Sequence, residues 1–212
     1  MPKGTVTTRP VVREPRVRRG YFECRHGQLH VHNAIPPGGG FDEGTPLLCL
    51  HGAGQTGRAF QRFLPLMGRD RSVYAPDQPG SGESDGPAGR PVATDLAAAM
   101  GDFIDAMRFR HIDVLGVHFG ALIAAELAIA RPQQVRRVVL MGIPAGAEGD
   151  RLRQIAQPLL VARVRDELWE STGRAREYLP RARALDLSQH GANVFESAPE
   201  AIVEPLREFL GM

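Results

Sequence analysis

Among the seven histidines of this chain, one occupies a position built for reactivity: His118, at the centre of GVHFG. The segment joins an apolar run to ALIAAELAIA, so it reads as a tight turn from a strand into a helix. Gly116 and Gly120 leave room for a strained backbone that projects the central side chain outward, and Ala121 lets the helix pack close to the strand. Such a centre takes a positive φ, where His is enriched among non-glycine residues. A neutral imidazole already carries the lone pair needed to attack a carbonyl or to take a proton. Set at a helix N-terminus, it faces the positive end of the dipole, which disfavours the charged ring.

The other histidines carry weaker signals. His51 lies in HGAG and is expected to hydrogen-bond neighbouring loops. His26, His30 and His32 alternate through YFECRHGQLHVHNAI, a β-hairpin pattern; with no acidic or cysteine partner nearby in sequence they are expected on an exposed strand, and no metal is assigned. His111 precedes a strand and carries no signal. Ser81 and Ser84 sit in PGSGES, which reads as turn punctuation. Its GSG lacks the spacing and the following helix of a dinucleotide fingerprint, so no cofactor is implied.

Short apolar strands are expected at 46–50, 72–75, 112–115, 138–141, 159–162 and 184–187. Helices are expected at 58–67, 92–107, 121–130, 173–179 and 199–210. Near-continuous apolar strands alternating with helices predict an α/β fold: a mostly parallel sheet with helices on both faces, preceded by an N-terminal β-hairpin. In such sheets function collects at the carboxyl ends of the strands. Those loops are HGAG, DQPGSGESDG, GVHFG, GIPAG, RVRDE and SQHGANVFE, with PPGGGFDEG a surface loop after the hairpin.

Over roughly residues 20–212 the chain resembles the α/β-hydrolase fold superfamily, through LLCLHGAGQTGRAF, VYAPDQPGSGESD, GVHFGALIAAELAIARP with RRVVLMGIP, and APEAIVEPLREFL. The resemblance implies that GVHFG is the nucleophile elbow, with histidine where the family has serine. It implies an oxyanion hole from the backbone N–H groups of Phe119 and of Ala53, with His51 and Gly52 shaping the turn before it. It places the acid at Asp166, with Glu167 the fallback. The family's histidine falls on Ala192, and a two-residue shift brings His190 to the site instead. A helical cap is common in the family between the strands equivalent to VVLMG and PLLVA; here the span 143–159 is too short for one. The pocket is expected to lie open unless the tail or a second subunit, in a homodimer, covers it.

Bulk properties bound the remaining classes. With 42% hydrophobic and 24% charged residues, 212 residues suffice for a continuous core. Residues 1–19 form a basic tail carrying about +5, so out of a total of +2 the rest of the chain carries about −3. No aromatic residues interleave the tail, and nucleic acid is not expected as a partner. No run approaches the roughly 18 apolar residues of a membrane span. Cys24 and Cys49 lie outside any paired or metal-spaced pattern, which fits a reduced, cytoplasmic setting. The expected activity is turnover of a small ester, thioester or lactone, or proton transfer beside a carbonyl, through His118. The alternative is an inactive binding or interaction protein on the same scaffold.

Overall fold

The computed structural model describes residues 14–38, 43–146 and 149–211. Most of the basic tail and part of the PPGGGFDEG loop lie outside these. Eight strands form one sheet: β1 (Arg18–Cys24), β2 (Gly27–Ala34), β3 (Gly44–Leu50), β4 (Arg71–Pro76), β5 (Ile112–Val117), β6 (Val135–Met141), β7 (Leu159–Arg165) and β8 (Arg183–Gly191). Their order is β1-β2-β4-β3-β5-β6-β7-β8. The hairpin β1–β2 is antiparallel and joins β4 antiparallel; all later pairings are parallel. The hairpin begins within the expected tail, since Arg18 and Arg19 pair with Asn33 and His32.

Seven helices among the described residues cover the sheet: α1 (Phe63–Met67), α2 (Ala93–Ala106), α3 (Phe119–Ala130), α4 (Gly149–Leu152), α5 (Trp169–Tyr178), α6 (Val194–Ser197) and α7 (Glu200–Leu210). The two-residue period of the strands divides the core. Leu48, Leu50, Val114, Val138 and Leu140 face α2 and α3, whereas Leu47, Cys49, Leu115, Val139 and Met141 face α1 and α7. Burial on both faces explains why these strands read as unbroken apolar runs. The helix α3 is apolar except for Glu126, which pairs with Arg151, because most of its surface is buried.

Two details depart from expectation. The helix expected at 58–67 divides into a 3-10 turn, Gly57–Phe60, and α1. Pro65 has no N–H to offer the carbonyl of Gln61, which removes the bond a continuous helix would need there. The short helix α6 begins inside the SQHGANVFE loop, and α4 lies in the 143–159 span. Between β6 and β7 only α4 intervenes among the described residues, and no separate cap is present. No described helix is long and apolar enough to cross a membrane.

At the amino end of β5 the carboxylate of Asp113, fully buried, faces two guanidinium groups. Arg136 approaches at 2.8 Å and the equally buried Arg71 at 3.4 Å. Those charges sit at the far end of the strand from His118.

Candidate active site

β5 ends at Val117 and α3 starts at Phe119, leaving His118 alone to make the turn. It does so at φ 53°, ψ −118°, with its N–H donating to the Met141 carbonyl at 2.8 Å and its own carbonyl accepting from Ala121 at 2.9 Å. The flanking glycines are sterically required. A Cβ on Gly116 would stand 2.2 Å from the Gly120 carbonyl oxygen, and one on Gly120 would stand 2.2 Å from that of Leu50.

The imidazole turns toward β6 and β7. Its Nε2 lies 2.9 Å from Oδ2 of Asp166, a carboxylate only 1% exposed, while the His118 side chain is 19% exposed. Asp166 follows β7 directly and is held in place by its own loop: its Oδ1 accepts the Leu168 N–H at 2.9 Å. A carboxylate only accepts, so in the neutral ring Nε2 carries the proton and Nδ1 keeps the lone pair. Among the described residues Nδ1 has no hydrogen-bond partner. Gly142, at φ 65°, passes under the ring; a Cβ there would meet His118 Cδ2 at 2.2 Å.

The loop after β3 approaches the same point. His51 is buried, its Nδ1 donates to the Gly52 carbonyl at 2.8 Å, and its Nε2 accepts the Gln78 N–H at 3.0 Å. Gln78 answers by donating from its side chain to the His51 carbonyl at 2.7 Å. Burial pushes the His51 imidazole below the ordinary histidine range, although the bond to Gly52 opposes this. The Gly52 N–H donates to Gln55 Oε1 at 3.1 Å. That leaves the backbone N–H groups of Ala53 and Phe119 without partners among the described residues.

Of the residues expected at the site, His118 and Asp166 are brought into direct contact, and His51 and Gly52 shape the adjoining loop. His190 is not joined to them. It lies near the end of β8, half-buried, and its ring makes no hydrogen bond or ion pair among the described residues. Glu167 is exposed. Gly142 escaped notice although GIP was visible in sequence, because the need for glycine arises from a ring on another strand.

The hairpin histidines require a correction. His30 and His32 are buried, at 3% and 9% exposure, and Asp77 supplies the acidic partner that the local sequence lacks. Both face inward beneath the loop after β4. An acid 47 residues away from His30 is invisible to spacing rules.

A recess of about 60 Å³ at the end of β5 is lined by Val117, Gln55 and Ala192, and one of about 220 Å³ after β6 by Ile143, Ser171 and Arg174. A cavity of about 650 Å³, lined by Gln157, Leu159 and Ala182 among others, lies at the amino ends of β7 and β8, remote from His118.

Residues 45–166 match the model of the alpha/beta hydrolase fold family, more than half of the chain, and the chain belongs to that family. It is 39% identical over 106 residues to 2-hydroxymuconate semialdehyde hydrolase of Pseudomonas sp. (strain CF600), covering 47% of this chain and 36% of that protein. It is 30% identical over 135 residues to lipase LipV of Mycobacterium tuberculosis (strain ATCC 25618 / H37Rv), covering 63% and 49%. The chain thus spans less than half the length of these relatives. In fold it resembles a predicted CIB-like hydrolase from Thermoplasma acidophilum, with a TM-score of 0.81 at 15% identity over 92% of this chain and 98% of the other. Carboxylesterase CesB from Bacillus subtilis gives 0.80 at 16%, over 92% and 93%.

Proposed function

We propose that the chain is a hydrolase acting on a small ester, thioester or lactone through a two-residue device, His118 and Asp166. The observation that carries this is the 2.9 Å contact between His118 Nε2 and the buried Asp166 carboxylate. It gives the elbow residue the orienting partner that a triad histidine has, without a third residue.

In this mechanism Nδ1 attacks the carbonyl carbon. The carbonyl oxygen takes up the negative charge and is received by the unpartnered N–H groups of Ala53 and Phe119. The ring becomes cationic, and Asp166 offsets that charge at the opposite nitrogen. Collapse breaks the bond to the leaving alkoxide or thiolate, which takes a proton from water. Water then adds to the acyl-imidazolium and its proton neutralises the hydroxide left by the first step, the acid departs and the ring returns to its neutral starting state. The relatives' names, hydrolases and a lipase, support the same reaction class. No cofactor enters.

The test uses tag-free protein and a panel of activated esters, thioesters and lactones. His118→Ala is expected to abolish turnover and Asp166→Asn to lower kcat by about 10²–10⁴-fold. Rapid quenching with mass spectrometry should find the acyl group on His118. Turnover that depends on His118 without an adduct points to the ring as a base toward water or carbon. Equal turnover in wild type and His118→Ala overturns the mechanism. A binding protein on this scaffold is the second reading, favoured by the remoteness of the 650 Å³ cavity from the elbow; absence of turnover on every substrate, with a ligand bound equally by wild type and His118→Ala, would establish it.

A further inference from the structure

We infer that His30, His32 and Asp77 form a binding site for one divalent first-row metal ion, best suited to zinc, that braces the loops beside the elbow. The placement follows from the sheet. His30 and His32 stand two apart on β2 and so project to the same face, and the Asp77 N–H donates to the His30 carbonyl at 2.9 Å, extending the β2–β4 ladder by one residue. That bond fixes Asp77 beside His30 although the two are 47 residues apart in the chain.

The donor atoms converge. His30 Nδ1 is 2.9 Å from Asp77 Oδ2, His32 Nε2 is 3.7 Å from Asp77 Oδ1, and one ligand atom from each residue falls within 4.8 Å of the others. Four-coordinate zinc with bonds of about 2.0–2.1 Å places neighbouring donors about 3.3–3.4 Å apart. The 2.9 and 3.7 Å separations run to different oxygens of Asp77, and a set of one donor per residue spreads over up to 4.8 Å, so side-chain shifts of about 1 Å would draw the three donors onto one ion. Two imidazoles and a carboxylate are a donor set suited to zinc, and the fourth position falls to water.

The surroundings favour a cation. The Asp77 side chain is 3% exposed, yet no Lys or Arg pairs with it among the described residues; its only charge partners are the two histidines. The carboxylate is held by the Gly57 N–H on Oδ1 at 2.8 Å and the Glu83 N–H on Oδ2 at 3.1 Å. Such supporting bonds hold a ligating carboxylate in place. Through Gly57 the site is tied to the turn that follows the HGAG loop, and through Glu83 to the loop after β4. A bound ion would add a further tie between β2 and the loop after β4, segments already joined by hydrogen bonds and apolar packing.

The experiment uses the tag-free full chain, stripped with a chelator and dialysed. Titration with Co²⁺ should give one equivalent of binding, with the visible absorption of a four-coordinate ion and no thiolate charge-transfer band. Zn²⁺ should displace it and, at a hundredfold excess over its Kd, raise Tm by about 5–10 °C. His32→Gln, which loses only the longest contact, should weaken binding at least tenfold, while His26→Gln should not change it. No Co²⁺ absorption and no zinc-dependent rise in Tm in the wild type would overturn the site, leaving an ordinary buried His–Asp pair. Unchanged affinity in His32→Gln would overturn it equally, since the metal would then bind elsewhere.

Discussion

Gly142→Ala isolates the geometry on which the proposed chemistry depends. The substituted residue touches no substrate, but its methyl group would stand 2.2 Å from His118 Cδ2 and 2.8 Å from Nε2. Restoring ordinary contact requires a separation of about 1.2 Å more, which moves the ring away from Gly142 and out of register with Asp166. A displacement of about 1 Å at a reacting centre costs on the order of 10²-fold in rate, so kcat should fall by about that factor. The alanine must also hold φ 65°, a conformation costing about 1–2 kcal/mol for a residue with a Cβ, or about 2–8 °C in Tm for a chain of this size. Gly89→Ala supplies the control: it has φ 105° and nothing within 4 Å of the added methyl. It should lose comparable stability and keep its activity. The assay is ester hydrolysis on both variants, with NMR of the His118 imidazole as a readout independent of turnover. A folded Gly142→Ala protein with wild-type kcat and an unmoved His118 resonance would refute the reasoning.

His118→Ser should leave less than about 1% of wild-type turnover, measured on the same ester panel, because no imidazole stands ready to take the serine proton. Asp113→Ala should destabilise the fold by about 1–3 kcal/mol in urea denaturation, since it removes the carboxylate shared by Arg71 and Arg136 and leaves the buried Arg71 guanidinium with Asp70 as its acidic partner. The third concerns pH. Burial lowers the His51 pKa in the fold, so acid binds the unfolded chain in preference. Its contribution to stability is complete above the unfolded value of about 6.5 and is lost as pH falls through the lower folded value. Scanning calorimetry in metal-free buffer should show Tm declining from pH 7 to pH 5; a flat profile over that range would count against a neutral His51.

The sheet and its helices were legible because burial on both faces writes continuous apolar runs, and because glycine is the only residue that can flank a turn as tight as the one around His118. The elbow was legible for the same reason. What joins the elbow to its surroundings was not. Asp166 was named from its place after β7, but its contact with His118 spans 48 positions and arises from the spacing of parallel strands rather than from any local pattern. A two-residue shift from Ala192 points to His190, but the shift cannot be judged from spacing alone, and in the fold His190 makes no hydrogen bond or ion pair among the described residues. His30 and His32 misled in the opposite direction: alternation correctly placed both on one face of β2, but local sequence could not show that Asp77 covers that face.

A bond running from the end of β5 to the end of β7 passes over β6 and never reaches β8. The outermost strand and the turn into α6 are thereby excused from holding any reactive atom. Under the proposed chemistry, insertions, deletions and polar exchanges between 188 and 193 become affordable to the molecule, and that margin can be remodelled to admit acyl groups of different shape without retuning the device that cleaves them.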